Sequence, residues 1–256
     1  MKKITIQDIK NFKDSDSPFA TLTAYDFLTA QILDQAEIPL ILVGDSASMT
    51  IYGYNTTIPV SMDEMLLVIK AVCRGNQSSL IVADMPFLSY QPSIDDTIKN
   101  AGRLMKEGGA HAVKLEGGEY IKSNIQALVN HGIPVLGHVG LMPQSVNQTS
   151  GYKLQGKTDK EAEKIIRDAQ AVEDAGAFGI VLECIPETLA TTITKEISIP
   201  TIGIGSGNTC DGQIQVFHDI VGLSKNSPPK HAKQYSRLYD TILDVVKKYQ
   251  NDINNL

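Results

Sequence analysis

Tryptophan is absent from the 256 residues, and the chain has no low-complexity tract and no glycine-serine linker. With nothing to mark an internal boundary, a single domain over residues 1–256 is the simplest reading. Cysteine occurs three times, at Cys73, Cys184 and Cys210, far apart and odd in number. That excludes a disulfide framework or a zinc knuckle and suits a reducing compartment. No apolar stretch approaches the roughly 20 residues of a membrane-spanning helix. The opening Met1-Lys2-Lys3-Ile4-Thr5-Ile6-Gln7-Asp8 lacks the apolar run of a secretion signal, so a cytoplasmic location is expected. Positive charge is scarce: Lys and Arg number 23 against 29 Asp and Glu, a net charge of -6, which argues against nucleic acid or an anionic membrane as partner. At 42% hydrophobic and 20% charged, the composition excludes disorder as the main state.

What is present alternates. Runs of branched apolar residues recur at 19–25, 40–45, 80–87, 112–117, 134–140, 179–184, 200–205 and 213–218. Most are continuous rather than alternating, as in parallel strands covered on both faces. Between them lie helical patterns with readable ends. Ser61-Met62-Asp63-Glu64 is a capping box ahead of Met65, Leu66, Ile69 and Val72, with a stop at Gly75. Ser93 opens a helix with Ile98, Ala101, Leu104 and Met105 inward, and Thr158-Asp159-Lys160-Glu161 opens one carrying Ile165, Ile166, Ala169 and Val172. A short helix is also expected near the N-terminus. About eight strand-helix units in some 250 residues predict a (β/α)8 TIM barrel, with an open doubly wound α/β sheet as the rival.

The strands end in acids. Leu40-Ile41-Leu42-Val43-Gly44 runs into Asp45-Ser46, Leu80-Ile81-Val82-Ala83 into Asp84, Ala112-Val113-Lys114-Leu115 into Glu116, and Gly179-Ile180-Val181-Leu182 into Glu183. In a parallel barrel these ends share one rim, where such enzymes carry their active sites. Three converging carboxylates, Asp45, Asp84 and Glu116, repel unless a cation neutralises them, and all-oxygen ligation favours a hard ion such as Mg2+. The bland alternative is that each acid caps a helix or accepts loop amides. Glu183, between Leu182 and Cys184-Ile185-Pro186, sits in an apolar setting that raises a carboxyl pKa, which suits a general base; capping of the helix opened by Pro186 is the alternative.

Lys114 shares a strand face with Glu116, positioned to hold a substrate carboxylate or to pair with a neighbouring acid. His138, among glycines and aliphatic residues, reads as a satisfied structural group. Gly203-Ile204-Gly205-Ser206-Gly207 has the wrong spacing for a dinucleotide fingerprint and reads as a phosphate loop or a tight turn. The basic stretch from Lys225 to Arg237 reads as a solvated helix start or as a contact for an acidic substrate tail. The final helix carries Tyr235, Leu238, Tyr239, Ile242, Val245 and Val246 at core-like spacing.

These residues resemble the 3-methyl-2-oxobutanoate (ketopantoate) hydroxymethyltransferase family from about residue 18 to about residue 236. The resemblance is carried in order by Thr23-Ala24-Tyr25-Asp26, Leu42-Val43-Gly44-Asp45-Ser46, Ala83-Asp84-Met85-Pro86-Phe87 and Val113-Lys114-Leu115-Glu116-Gly117-Gly118. It continues through Gly137-His138-Val139-Gly140-Leu141, Pro143-Gln144-Ser145-Val146-Asn147, Gly151-Tyr152-Lys153, Leu182-Glu183-Cys184, Ile202-Gly203-Ile204-Gly205, Asp211-Gly212-Gln213 and His218-Asp219.

The resemblance implies a (β/α)8 barrel, a Mg2+-type ion, and transfer of a one-carbon unit from 5,10-methylenetetrahydrofolate to 3-methyl-2-oxobutanoate in pantothenate synthesis. It implies Asp45, Asp84 and Glu116 at the metal, Asp45, Ser46, Asp84 and Lys114 around the 2-oxo acid, and Glu183 as proton acceptor. Family members are usually homo-oligomers, often decamers. Met142, Ser150 and Ser206 depart from the threonine, glycine and alanine expected at those places. Two rival functions are a folate-independent lyase or mutase acting on another 2-oxo acid, and a non-catalytic binding barrel.

Overall fold

Eight short parallel strands close on themselves: β1 (Phe19–Thr23), β2 (Leu40–Val43), β3 (Leu80–Asp84), β4 (Ala112–Lys114), β5 (Val135–Gly140), β6 (Gly179–Glu183), β7 (Thr201–Ile204) and β8 (Gly212–Gln215). Each pairs with the next in chain order, and the ring shuts where Phe19 N–H donates to the Asp211 carbonyl (3.1 Å) and Thr21 Oγ1 to that of Gln213 (3.3 Å). Closure rules out the open sheet. The computed structural model describes residues 2–15, 17–149 and 151–256, so Ser150 lies outside the described residues. Two compact units make up the chain, Met1–Ile214 and Gln215–Leu256.

In the first unit the helices are α1 (Ile6–Lys10), α2 (Phe27–Gln35), α3 (Ala47–Thr50), α4 (Met62–Gly75), α5 (Ile94–Lys106), α6 (Lys122–Asn130), α7 (Val146–Thr149), α8 (Asp159–Asp174) and α9 (Glu187–Glu196). The predicted capping box forms at α4, and α8, opened at Thr158 as expected, has one as well: Ser61 and Thr158 each accept the N–H three residues on, and Glu64 and Glu161 reach back to the cap. Met65, Leu66, Ile69 and Val72 are buried as expected. On α5, Ala101 and Leu104 are buried, whereas Ile98 and Met105 are only half-buried. The seventh connection, residues 205–211, carries no helix: the glycine-rich run simply turns the chain, with the Ser206 hydroxyl donating to the Leu182 carbonyl (2.7 Å).

Strand side chains alternate. Leu40 and Leu42, Leu80 and Val82, Ala112, Leu136, Val181, Ile202 and Ile214 form one cluster, and the intervening Ile41, Val43, Ile81 and Ala83 are buried as well. This accounts for the continuous apolar runs. Ile9 of α1 belongs to the same cluster at 0% exposure, with Ile4, Ile6 and Phe12 packed against it. The expected N-terminal helix is thus a plug, held by its own capping box between Thr5 and Asp8. Burying Ile9 contributes roughly 1.5–3 kcal/mol.

The second unit carries α10 (Phe217–Val221) and α11 (Leu238–Asn254). Gly222, at φ +64°, ends α10 in the left-handed conformation, and the Tyr239 N–H donates to its carbonyl (2.9 Å). The final helix forms, but it begins at Leu238, so Tyr235 precedes it, and its apolar stripe is not a core within this unit: no residue of α11 is buried, and Ile242, Val245 and Val246 are exposed. Spacing records which residues share a face, and nothing in this unit covers that one. Lys225, Lys230, His231, Lys233 and Arg237 are exposed within the same unit. Among the described residues no helix is long and apolar enough to cross a membrane.

Candidate active site

The side-chain series that fills the barrel continues upward and changes character. Above Leu80 and Val82 comes Asp84; above Ala112 come Lys114 and Glu116; above Leu136 comes His138; above Val181 comes Glu183. The strand register sets the spacing, pairing Asp84 with Lys114 and Gly140 with Glu183. Asp45 and Ser46 leave the end of β2 beside them.

Lys114 is the hub. Its Nζ lies 2.8 Å from Asp84 Oδ1, 3.8 Å from Glu116 Oε1 and 3.1 Å from His138 Nδ1. Asp84 Oδ2 accepts the Asp45 N–H (3.0 Å), tying the β2 loop to β3. Ser46 caps α3 without a side-chain bond, and its Oγ stands 2.6 Å from Tyr25 Oη. Glu183 joins through His138, whose Nε2 is 3.4 Å from Glu183 Oε2. The structure therefore brings together Asp45, Ser46, Asp84, Lys114, Glu116 and Glu183, drawn from four strands. Asp84 and Glu116 also accept loop N–H groups, so part of the bland reading holds alongside the convergence. Glu183 does not cap α9, whose cap is Pro186 with no side-chain bond.

Two partners, Gln144 and Tyr90, were not singled out from the sequence, and a third, His138, was read only as a satisfied structural group. His138 is more than a satisfied structural group, because it touches both the ammonium and the Glu183 carboxyl. Gln144 and Tyr90, 3% and 1% exposed, bond to the carboxylate loops. Their only local signal was their place in loops that follow strands.

Electrostatics follow from burial. Asp45, Asp84, Lys114 and Glu116 are at most 4% exposed. Burial, with Asp84 beside it, pushes Asp45 up to about 7 against the pull of Lys114 and Gln144. Burial also raises Asp84, against Lys114, and sends Glu116 well above the usual carboxylate range. Glu183 rises to about 8, from burial first and then from Asp45 and Asp84, with Lys114 opposing. Burial alone would lower Lys114, but Asp84, Glu116 and Asp45 outweigh it and raise it. His138 falls well below 6.5 through burial and the charge of Lys114.

Ionised together, Asp45, Asp84 and Glu116 would exceed the single ammonium by two negative charges; their raised pKa values are the response of a cluster without a cation, and a divalent ion would take the place of the protons. Glu116 Oε1 is buried and accepts no hydrogen bond. Among the described residues no three acidic, histidine or cysteine side chains form a ready-made cage. Mg2+ does not require one, since it keeps several waters and binds through one or two carboxylates plus substrate oxygens. The residues present fit such an ion.

Solved structures share this barrel. Phosphonopyruvate hydrolase in complex with oxalate and Mg2+ matches with a TM-score of 0.63 at 16% identity, covering 100% of this chain and 88% of that one. 2,3-Dimethylmalate lyase, a PEP mutase/isocitrate lyase superfamily member, matches with a TM-score of 0.62 at 14% identity, covering 98% and 88%. The fold that these structures share with this chain is the (β/α)8 barrel. Sequence comparison narrows the class. The profile of the ketopantoate hydroxymethyltransferase family matches residues 3–256. The 3-methyl-2-oxobutanoate hydroxymethyltransferase of Carboxydothermus hydrogenoformans is 50% identical over 99% of this chain and 92% of its own length. That of Clostridioides difficile is 51% identical over 98% and 92%. The chain belongs to the ketopantoate hydroxymethyltransferase family and is an enzyme.

Proposed function

We propose that this enzyme moves a hydroxymethyl group from 5,10-methylenetetrahydrofolate to 3-methyl-2-oxobutanoate, giving ketopantoate for pantothenate synthesis. The observation that carries the reading is a carboxyl of raised pKa, Glu183, beside a buried Asp45–Asp84–Lys114–Glu116 cluster in a chain of this family. Asp45, Asp84 and Glu116 would hold a divalent cation, which when bound would supply Lewis-acid polarisation of the 2-oxo group.

The chain's own groups do the rest. Lys114 and the Ser46 hydroxyl hold the 2-oxo acid, with Tyr25 fixing the Ser46 oxygen. Glu183 takes the proton from C3, and the C–H electron pair becomes the enolate double bond as charge moves to the keto oxygen. A carboxylate raised to about 8 is a stronger base than one in water, which suits a carbon acid. C3 then bonds to the one-carbon unit of the folate as that carbon's two bonds to nitrogen break; one water supplies the new hydroxyl, and its remaining proton and the proton held by Glu183 go to the two nitrogens of tetrahydrofolate.

The test is ketopantoate formation with and without methylenetetrahydrofolate and with and without chelator, alongside deuterium exchange at C3. Glu183→Gln is expected to lower exchange by ~10²–10⁴-fold. Product formed without folate, or exchange at the wild-type rate in Glu183→Gln, overturns the reading.

A further inference from the structure

Gln144 reaches the carboxylate cluster from a loop that brings no acid of its own. It follows Pro143 in the 3-10 turn Pro143–Ser145 after β5, and it is 3% exposed. Its Nε2 donates to Asp45 Oδ2 (3.0 Å) and to the Met85 carbonyl (2.9 Å), and its backbone N–H donates to Glu116 Oε2 (3.1 Å). One residue thus grips carboxylates 99 and 28 positions away in the chain.

The amide can face only one way. Its Oε1 stands 3.0 Å from Tyr90 Oη and accepts from Gln91 Nε2 (3.2 Å). Turned over, that oxygen would confront Asp45 Oδ2 and the Met85 carbonyl, two acceptors with no proton between them. Tyr90 Oη in turn accepts the Glu116 N–H (3.2 Å), so the same hydroxyl steadies both the amide and the strand end that carries Glu116. The Gln144 N–H engages Glu116 Oε2 and leaves Oε1, which accepts no hydrogen bond in the buried site. One oxygen of Glu116 is thus tethered and the other is left for a ligand.

We propose that Gln144 is the positioning residue of the cation site, setting the spacing of Asp45 and Glu116 and leaving Glu116 Oε1 for the metal. The inference rests on the proposed reading of those acids as metal ligands. Partners that orient ligating carboxylates typically govern metal affinity by 10–100-fold.

The experiment is a Mn2+ titration of the ligand-free full chain, followed by electron paramagnetic resonance, comparing wild type with Gln144→Met, which keeps length and loses every side-chain hydrogen bond. The expected result is a Kd raised ~10–100-fold in Gln144→Met, together with C3 exchange whose kcat returns to within about threefold of wild type once Mn2+ is saturating. Tyr90→Phe, which removes the hydroxyl that fixes the amide, is expected to raise the Kd less and in the same direction, and it keeps the test alive if Gln144→Met does not fold. An unchanged Kd in Gln144→Met or, failing its folding, in Tyr90→Phe overturns the inference, as does a kcat that stays low at saturating Mn2+. A wild type that binds no Mn2+ removes the cation reading itself and this inference with it.

Discussion

His138 Nε2 stands 2.7 Å from the Leu141 carbonyl and 3.4 Å from Glu183 Oε2, while its Nδ1 lies 3.1 Å from Lys114 Nζ. An ammonium offers only protons, so Nδ1 is the acceptor and the ring's proton sits on Nε2, facing the carbonyl and the carboxyl. The imidazole is neutral, its pKa held well below 6.5 by burial and Lys114. It therefore orients the Glu183 carboxyl without adding charge to it.

His138→Ala is accordingly expected to slow C3 exchange by up to about 100-fold, the scale of a misplacement near 1 Å. With Glu183 as the proposed base, the wild-type rate should rise with pH to half its maximum near 8 and level above that, because the carboxyl must be ionised to accept the proton and burial holds its pKa there. Deuterium exchange followed by NMR across pH checks both. A wild-type rate in His138→Ala would show the contact to be incidental.

Stability carries the same electrostatics with a definite sign. Asp45, raised from 3.8 to about 7, and Glu183, raised from 4.5 to about 8, hold protons in the folded chain that the unfolded chain releases near its ordinary values. The stabilisation they give is complete below about pH 4 and is lost as pH climbs through about 7 to 8. The Tm of ligand-free protein should fall across that interval, and less steeply in Glu183→Gln. Millimolar Mg2+ competes with those protons, so it should raise Tm more near pH 8 than near pH 5. Calorimetry at both pH values decides; an equal or reversed Mg2+ increment contradicts the assignment.

The chain announced most of its strands because β2 to β7 are buried on two faces and read as near-continuous apolar runs, and its helices because Ser61 and Thr158 carry complete capping boxes. The site acids were legible for a related reason: a charged residue at the end of an apolar strand, on the inward face, has few other roles. Closure was not legible, since the bond from Phe19 to Asp211 joins positions whose local sequence says nothing of one another. Gln144 was illegible for the same reason, its partners being set by the barrel and not by its neighbours. The apolar stripe of α11 shows the converse failure, because spacing records which residues share a face and not what covers it.

The plug at the barrel's lower end sets a stability prediction away from the chemistry. Ile9 is fully buried in the same cluster as Leu40, Leu80, Leu136 and Ile202. Ile9→Ala should destabilise by about 2–5 kcal/mol through lost burial and the cavity it leaves. Chemical denaturation measures it. A cost under about 1 kcal/mol would mean that α1 does not seal the core.

Gly140 supplies the sharpest steric test of the base's position. It ends β5 at φ +95°, opposite Glu183 in register, and a Cβ there would sit 2.3 Å from the Glu183 carbonyl oxygen and 2.8 Å from Ile185 Cγ2. The obstructing atom is backbone, so it can yield only by moving the segment that carries Glu183. That segment is already constrained: Cys184 holds φ +47°, rare for a residue with a side chain, and its N–H donates to the Ile204 carbonyl (2.8 Å). Gly140→Ala should therefore cut C3 exchange by about 100-fold. Mn2+ affinity should stay within about threefold, because Asp45, Asp84 and Glu116 lie on β2, β3 and β4 or the loops that follow them. Parallel loss of exchange and of metal binding would show that the substitution collapses the whole rim and does not displace the base alone.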